Sequence, residues 1–223
     1  MAGRFSKEEL KDKLHRSAFS LVASGGIESV TVRKVTTGCG LSDPYIYQCY
    51  SDMTELMTDA FLRIDREIAS MIASVIKKQE TAKETDDLEE KCWRLWNAYW
   101  GFLLSDSDKI IYYWRFYQSG YYSMDVLEQR RENFRVFTSF IQSTDEKNGL
   151  GRYGNLDATV SCLIDNTVSA AVKIHQGYLS EKDISAQVIY GSACSYLLQL
   201  AGIDVWESLR RKRNLKFGEA DYD

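Results

Sequence analysis

Arg33, Lys34 and Gln48 sit close together in the chain, and their side chains suit recognition of a nucleic acid. A guanidinium and an ammonium on adjacent residues can neutralise phosphates, and Arg33 can also reach a guanine edge. Gln48 can pair with adenine through both polar atoms of its amide. Ser42, Asp43, Pro44 and Tyr45 lie just before it and would share one exposed surface with it. An ordinary solvated face is the competing account of Arg33 and Lys34. Bond-making chemistry finds less support. The chain has no G-x-S-x-G elbow, H-E-x-x-H or P-loop, and no G-x-G-x-x-G set between a strand and a helix. Neither His15 nor His175 has a serine or cysteine partner identifiable from spacing. No catalytic residue, cofactor or metal ligand is assigned.

Positioning these groups falls to residues 30–55. Thr31 is a good N-cap for a helix over Val32–Gly38, with Val30 and Val35 at the two staple positions. Gly38 and Gly40 bracket a turn, where a positive φ favours glycine. Ser42 is the expected cap of a second short helix, with Leu41 and Ile46 as its staple. Pro44 falls in the first turn, where a missing N–H is harmless. Two short capped helices across a glycine turn predict a helix-turn-helix, whose second helix fits a DNA major groove.

Upstream, Ser6 and Glu9 form a capping box, and Leu10, Leu14, Ala18, Leu21 and Val22 follow at helical spacing as far as Gly25-Gly26. This first helix would complete a three-helix head. Downstream, Asp52 and Glu55 open a long helix, and its apolar stripe runs from Leu56 to about residue 77. At 1.5 Å per residue it spans about 40 Å. The polar run 77–87 is linker-like. The expected division is a head over residues 1–50, a connecting helix over 52–77, a helical body over 78–205 and a basic tail over 206–223.

The body is rich in aromatic residues. Trp96, Tyr99 and Trp100 share one predicted helix. Tyr113, Phe116 and Tyr117 fall in a second stretch (109–122), with Phe134 and Phe137 in a third (126–143). Packing alone can explain such density. Yet so many hydroxyls exceed what a dry core needs, and an aromatic cavity with a few polar groups suits a small molecule. Asn166 and His175 are the candidate polar contacts. Two further helices, about 156–177 and 183–201, carry broad apolar stripes, the second with small residues such as Gly191 and Cys194 that allow close approach. Packing inside one subunit is the other account of them.

Composition agrees with an all-α class. The 223 residues are 44% hydrophobic, enough for a sizeable core, and a single proline leaves long helices uninterrupted. A net charge of −4 argues against wholesale nucleic-acid binding but permits a local footprint in the basic head. With no apolar run long enough to span a membrane and no apolar signal core, the expected location is the cytoplasm. Five scattered cysteines without C-x-x-C spacing read as reduced, mostly buried thiols.

Residues 10–64 resemble the DNA-binding head of the TetR (tetracycline-repressor) family. The matching positions are Gly26, Thr31-Val32-Arg33-Lys34-Val35-Thr36, Gly40-Leu41-Ser42, Ile46-Tyr47-Gln48-Cys49-Tyr50 and Met53-Thr54-Glu55-Leu56. The resemblance implies a homodimer joined through the last two long helices. It implies a palindromic double-stranded operator contacted through Thr31, Arg33, Lys34 and residues 42–48. It also implies a repressor whose operator affinity changes when a small apolar or aromatic effector enters the body. Tyr47 matches the family's phosphate-binding tyrosine, a half-buried core aromatic being the alternative. The departures fall at Thr36 (where the family has a small alanine), Met53 (where it has a phosphate-gripping lysine) and Asp43. The last puts a carboxylate at the mouth of the recognition helix, where it repels phosphate unless a cytosine amino group donates to it. Met53 and Asp43 motivate an alternative, a family-like co-regulator or adaptor that works through protein partners.

Overall fold

The computed structural model describes residues 5–81, 88–148, 156–180, 185–200, 202–207 and 209–210. Residues 82–87 of the expected linker, residues 149–155 and the tail from 211 onward lie outside them. Among the described residues every regular element is helical. In chain order they are α1 (Lys7–Gly25), α2 (Val32–Gly38), α3 (Met53–Thr81), α4 (Leu88–Leu104) and α5 (Ser107–Tyr117), then α6 (Met124–Asn133), α7 (Arg135–Asn148), α8 (Leu156–His175) and α9 (Ala186–Leu200). Short 3-10 turns occupy Ile27–Ser29 and Asp43–Gln48. The chain forms two compact units. One joins Met1–Ser70 to Leu103–Arg135, and the other joins Met71–Phe102 to Val136–Asp223.

In the first unit α1 begins at the predicted capping box: Ser6 Oγ accepts the Glu9 N–H and the Glu9 carboxylate accepts the Ser6 N–H. α3 opens as expected, with Asp52 accepting the Glu55 N–H at 2.9 Å and Glu55 reaching back to the Ser51 N–H. It runs on to Thr81, past the expected end, because Lys77, Lys78, Gln79 and Glu80 are good helix formers although polar. α5 packs along α1, and Arg115 donates to the Val22 and Ala23 carbonyls in the last turn of α1. Phe61 of α3 stacks on Tyr113 and Phe116 at 4.8 and 4.5 Å between ring centres. The Tyr112 hydroxyl donates to the Met57 carbonyl at 2.6 Å.

Asp65 lies at the centre of this packing and is fully buried. Arg130 Nε lies 3.2 Å from its Oδ1, the Tyr113 hydroxyl donates to the same oxygen at 3.0 Å, and the Asn133 amide donates to Oδ2 at 3.1 Å. Burial pushes the carboxyl above its usual range, while the Arg130 guanidinium and the two hydrogen bonds pull it back. The aromatic stretch 126–143 is two helices, α6 and α7. Asn133 turns to reach Asp65, and the Phe134 N–H closes α6 on the Arg130 carbonyl at 3.0 Å.

The second unit packs α8 along α9, with α4 joined to them by aromatic contacts. Trp96 stacks on Trp100, both Trp93 and Trp96 meet Tyr190, and Trp96 Nε1 donates to Thr167 Oγ1 at 3.2 Å. Gly191 is small for an intrachain reason: a Cβ there would lie 2.8 Å from the Trp206 ring. The cysteines are free thiols, and Cys162 is exposed, unlike the mostly buried set expected.

Replacing Arg130 by Met keeps much of its apolar bulk but leaves the Asp65 carboxylate without its charge partner. We expect a loss of about 3 kcal/mol of stability, read as a lowered urea midpoint by circular dichroism. An unchanged midpoint would refute the buried pairing.

Candidate nucleic-acid interface

The helix-turn-helix forms where the sequence places it, with one change of geometry. Thr31 Oγ1 accepts the Lys34 N–H and so caps α2. Ser17 of α1 donates its hydroxyl to the Val35 carbonyl at 2.7 Å, which brings α1 so close that a Cβ on Gly38 would collide with Ser17 Oγ. Gly38 thus answers to close packing, whereas Gly40 carries the positive φ (+70°) of the turn. The second element is a 3-10 turn over Asp43–Gln48 in place of a capped α-helix. Ser42 Oγ caps nothing. The Tyr45 N–H goes instead to the Ser42 carbonyl at 3.0 Å, and Pro44 has no N–H to offer.

Ile46 is the one buried residue of that turn, and it anchors the turn to the core. Around it Ser42, Asp43, Pro44 and Gln48 are exposed and Tyr45 is half-buried. Tyr47 is 61% exposed, which excludes a core role. Thr31, Arg33 and Lys34 are exposed at the start of α2. Lys34 Nζ donates to the Ser29 carbonyl at 2.8 Å, leaving two of its three protons for another acceptor. Thr36, buried, places its hydroxyl 2.6 Å from Asp43 Oδ1, so two of the unusual residues are partners. Met53 is half-buried at the start of α3.

The candidate effector contacts divide between the units. Tyr113, Phe116, Tyr117 and Phe134 belong to the first, where Tyr113 and Phe116 pack on Phe61. Trp96, Tyr99, Trp100, Phe137, Asn166 and His175 belong to the second, where the first three are buried and Asn166 is exposed. Trp93 and Tyr190 join that cluster and were not picked from sequence. Trp93 shares the spacing of Trp96 and Trp100, but Tyr190 lies on α9, a helix whose residues are mostly small or aliphatic. The Tyr190 hydroxyl is buried with no hydrogen-bond partner among the described residues. A polar cleft of about 900 Å³ opens in the first unit beside Lys11, Tyr50, Asp59, Arg66, Tyr121 and Gln129, and none of the predicted effector contacts lines it.

No family model and no curated protein matches the sequence. Solved structures do match. A TetR-family transcription regulator from Marinobacter aquaeolei superposes with a TM-score of 0.69 at 14% identity, over 84% of this chain and 93% of that one. The fatty acid degradation regulator FadR from Bacillus halodurans gives 0.60 at 14% identity, over 90% and 97%. The TetR-family regulator PfmR from Thermus thermophilus gives 0.52 at 15%, over 84% and 95%. The chain has the TetR fold. At such identity the TetR backbone is shared, while side-chain roles have to be read from this chain itself.

In this TetR-type head a buried polar chain fixes the exit of the Asp43–Gln48 turn. Tyr50, two residues past the turn, donates its hydroxyl to Asp59 of α3 at 2.9 Å and lies 2.6 Å from His15 Nε2 of α1. Since the tyrosine proton goes to Asp59, His15 is assigned as the Nε2–H tautomer donating to Tyr50. Its Nδ1 is then a buried acceptor with no partner among the described residues. Burial pushes Tyr50 up, so it stays protonated, and pushes His15 down to about 4. Burial also acts to raise Asp59, but hydrogen bonds from Lys11 and Tyr50 outweigh it and hold the carboxyl below its usual range.

These shifts set a pH dependence. The unfolded chain protonates His15 near pH 6.5 and the folded chain only near pH 4, so stability is complete above 6.5 and declines as pH falls through that window. The full loss is about 3 kcal/mol at 1.36 kcal/mol per pH unit. Urea midpoints measured at pH 7 and pH 4.5 should therefore diverge less for His15→Gln than for the wild type. Equal divergence would show that His15 does not titrate this way.

Proposed function

We propose that this protein is a cytoplasmic, dimeric, DNA-binding transcriptional regulator, a repressor whose operator affinity changes with a small apolar or aromatic effector. The observation that carries this reading is the surface of the helix-turn-helix. Arg33, Lys34, Tyr47 and Gln48 are exposed together around one buried anchor, Ile46. Cations and donors at the start of α2 and along the turn suit phosphates, and the Gln48 amide suits a base edge. A reading as an enzyme has no comparable group of residues behind it.

The remaining parts rest on the second unit. The half-buried Leu163 and Ile164 on α8, beside α9, fit pairing with a second copy, and a two-fold dimer suits a palindrome read in successive grooves. The tryptophan cluster of α4 with Tyr190 of α9 offers aromatic faces and a buried hydroxyl in need of a partner, as a small-molecule site would. The effector acts through a difference in its affinity for the DNA-competent and DNA-incompetent states. The half-buried Met53 forgoes one phosphate contact and leaves the other exposed groups in place.

Selection from a random duplex pool, followed by binding titrations across salt, tests the reading. The wild type should prefer a palindrome over random duplex with sub-micromolar affinity at moderate salt. Arg33→Ala and Lys34→Ala should each lower the slope of log K against log salt by about one. Tyr47→Phe should cost about 1 kcal/mol through its lost hydroxyl. No preference over random duplex would sink the proposal.

A further inference from the structure

Asp43 is an unexpected residue for a DNA-facing surface, since a carboxylate there repels phosphate. Its geometry gives it a use. The Thr36 hydroxyl lies 2.6 Å from Asp43 Oδ1, 3.0 Å from the Val32 carbonyl and 3.2 Å from the Arg33 carbonyl. A hydroxyl has one proton, and the charged, nearest acceptor takes it. Thr36 is itself buried and held in α2, and its carbonyl accepts the Leu41 N–H at 2.8 Å. One residue therefore fixes both the turn and the carboxylate that begins the next element. Pro44 restricts the backbone immediately after Asp43. Oδ1 is engaged from within the protein, and Oδ2 of the exposed side chain is left as an acceptor on the surface that carries Tyr47 and Gln48.

We propose that Asp43, held in place by Thr36, accepts a hydrogen bond from the exocyclic amino group of a cytosine in the operator. The inference rests on the operator-binding reading and adds a base to it. In the major groove only cytosine N4 and adenine N6 donate. Adenine sets its N7 acceptor beside that donor, facing a carboxylate with a like partial charge. Adenine N6 is flanked on its other side by thymine O4 as well, whereas cytosine N4 has one flanking acceptor, guanine O6, and a C5–H on its other side, so cytosine is the better match. Asp43 is then a specificity residue, and Thr36 is a positioning residue that acts through it.

The test compares operators selected from a random duplex pool by the wild type and by Asp43→Asn, Thr36→Val and Thr36→Ser, with folding of each variant checked by thermal melting. The wild type should select cytosine at one position of each half-site and discriminate there by about tenfold or more. With Thr36 still donating to the amide oxygen, Asp43→Asn turns a donor outward, so the cytosine preference should vanish at that position and survive elsewhere. Thr36→Val keeps the shape but loses the hydroxyl, and should weaken discrimination at the same position alone. Thr36→Ser should restore it. The proposal is overturned if Asp43→Asn leaves every position unchanged, if the dependent position selects adenine, or if Thr36→Val discriminates as the wild type does. A wild type with no sequence preference would instead remove the operator-binding reading beneath it.

Discussion

A carboxylate with no access to water must be surrounded by donors, and Asp65 meets that condition with three side chains from two other helices. Tyr113 comes from α5, and Arg130 and Asn133 come from α6. Because the charge on α3 is fully buried, none of these partners can drift away without exposing an unpaired ion to a medium that solvates it poorly. The first unit consequently includes more than a three-helix head, since α5 and α6 are tied to α3 through its interior. The stacking of Phe61 with Tyr113 and Phe116 and the hydrogen bond from Tyr112 to Met57 fill the same seam. A residue such as Tyr113 can thus look like a pocket lining in the sequence and still have its hydroxyl committed inside a core.

How much could be read from the chain alone follows from the range of each interaction. Ser6 with Glu9, Thr31 with Lys34, and Asp52 with Glu55 are three residues apart, so their caps are written locally and appear where expected. At the end of α6, Asn133 bonds a carboxylate 68 positions earlier in the chain, and no local pattern contains that contact. Gly38 shows a subtler limit. Its need for glycine was visible, but the cause lies in Ser17 of another helix and not in the turn beside it.

The candidate interface was legible to the same degree. The exposed set of Arg33, Lys34, Tyr47 and Gln48 followed from the helix-turn-helix, because Ile46 alone of the turn is buried and its neighbours face outward. The 3-10 geometry did not follow. It depends on the Ser42 carbonyl winning the Tyr45 N–H, a contest that side-chain capping preferences leave undecided. Thr36 and Asp43 looked like separate departures and are one pair, seven positions apart across the turn. His15 has no partner identifiable from local spacing, because the Tyr50 hydroxyl it meets is 35 positions away.

The single buried side chain of the Asp43–Gln48 turn has an evolutionary consequence. Ile46 carries the attachment, so the residues flanking it can drift with little damage to the core that supports them. A lineage could change the surface that this turn presents by a few mutations, each nearly neutral for folding, provided Ile46 stays in place. Duplicated copies of such a gene would therefore diverge in this surface long before they diverged in architecture.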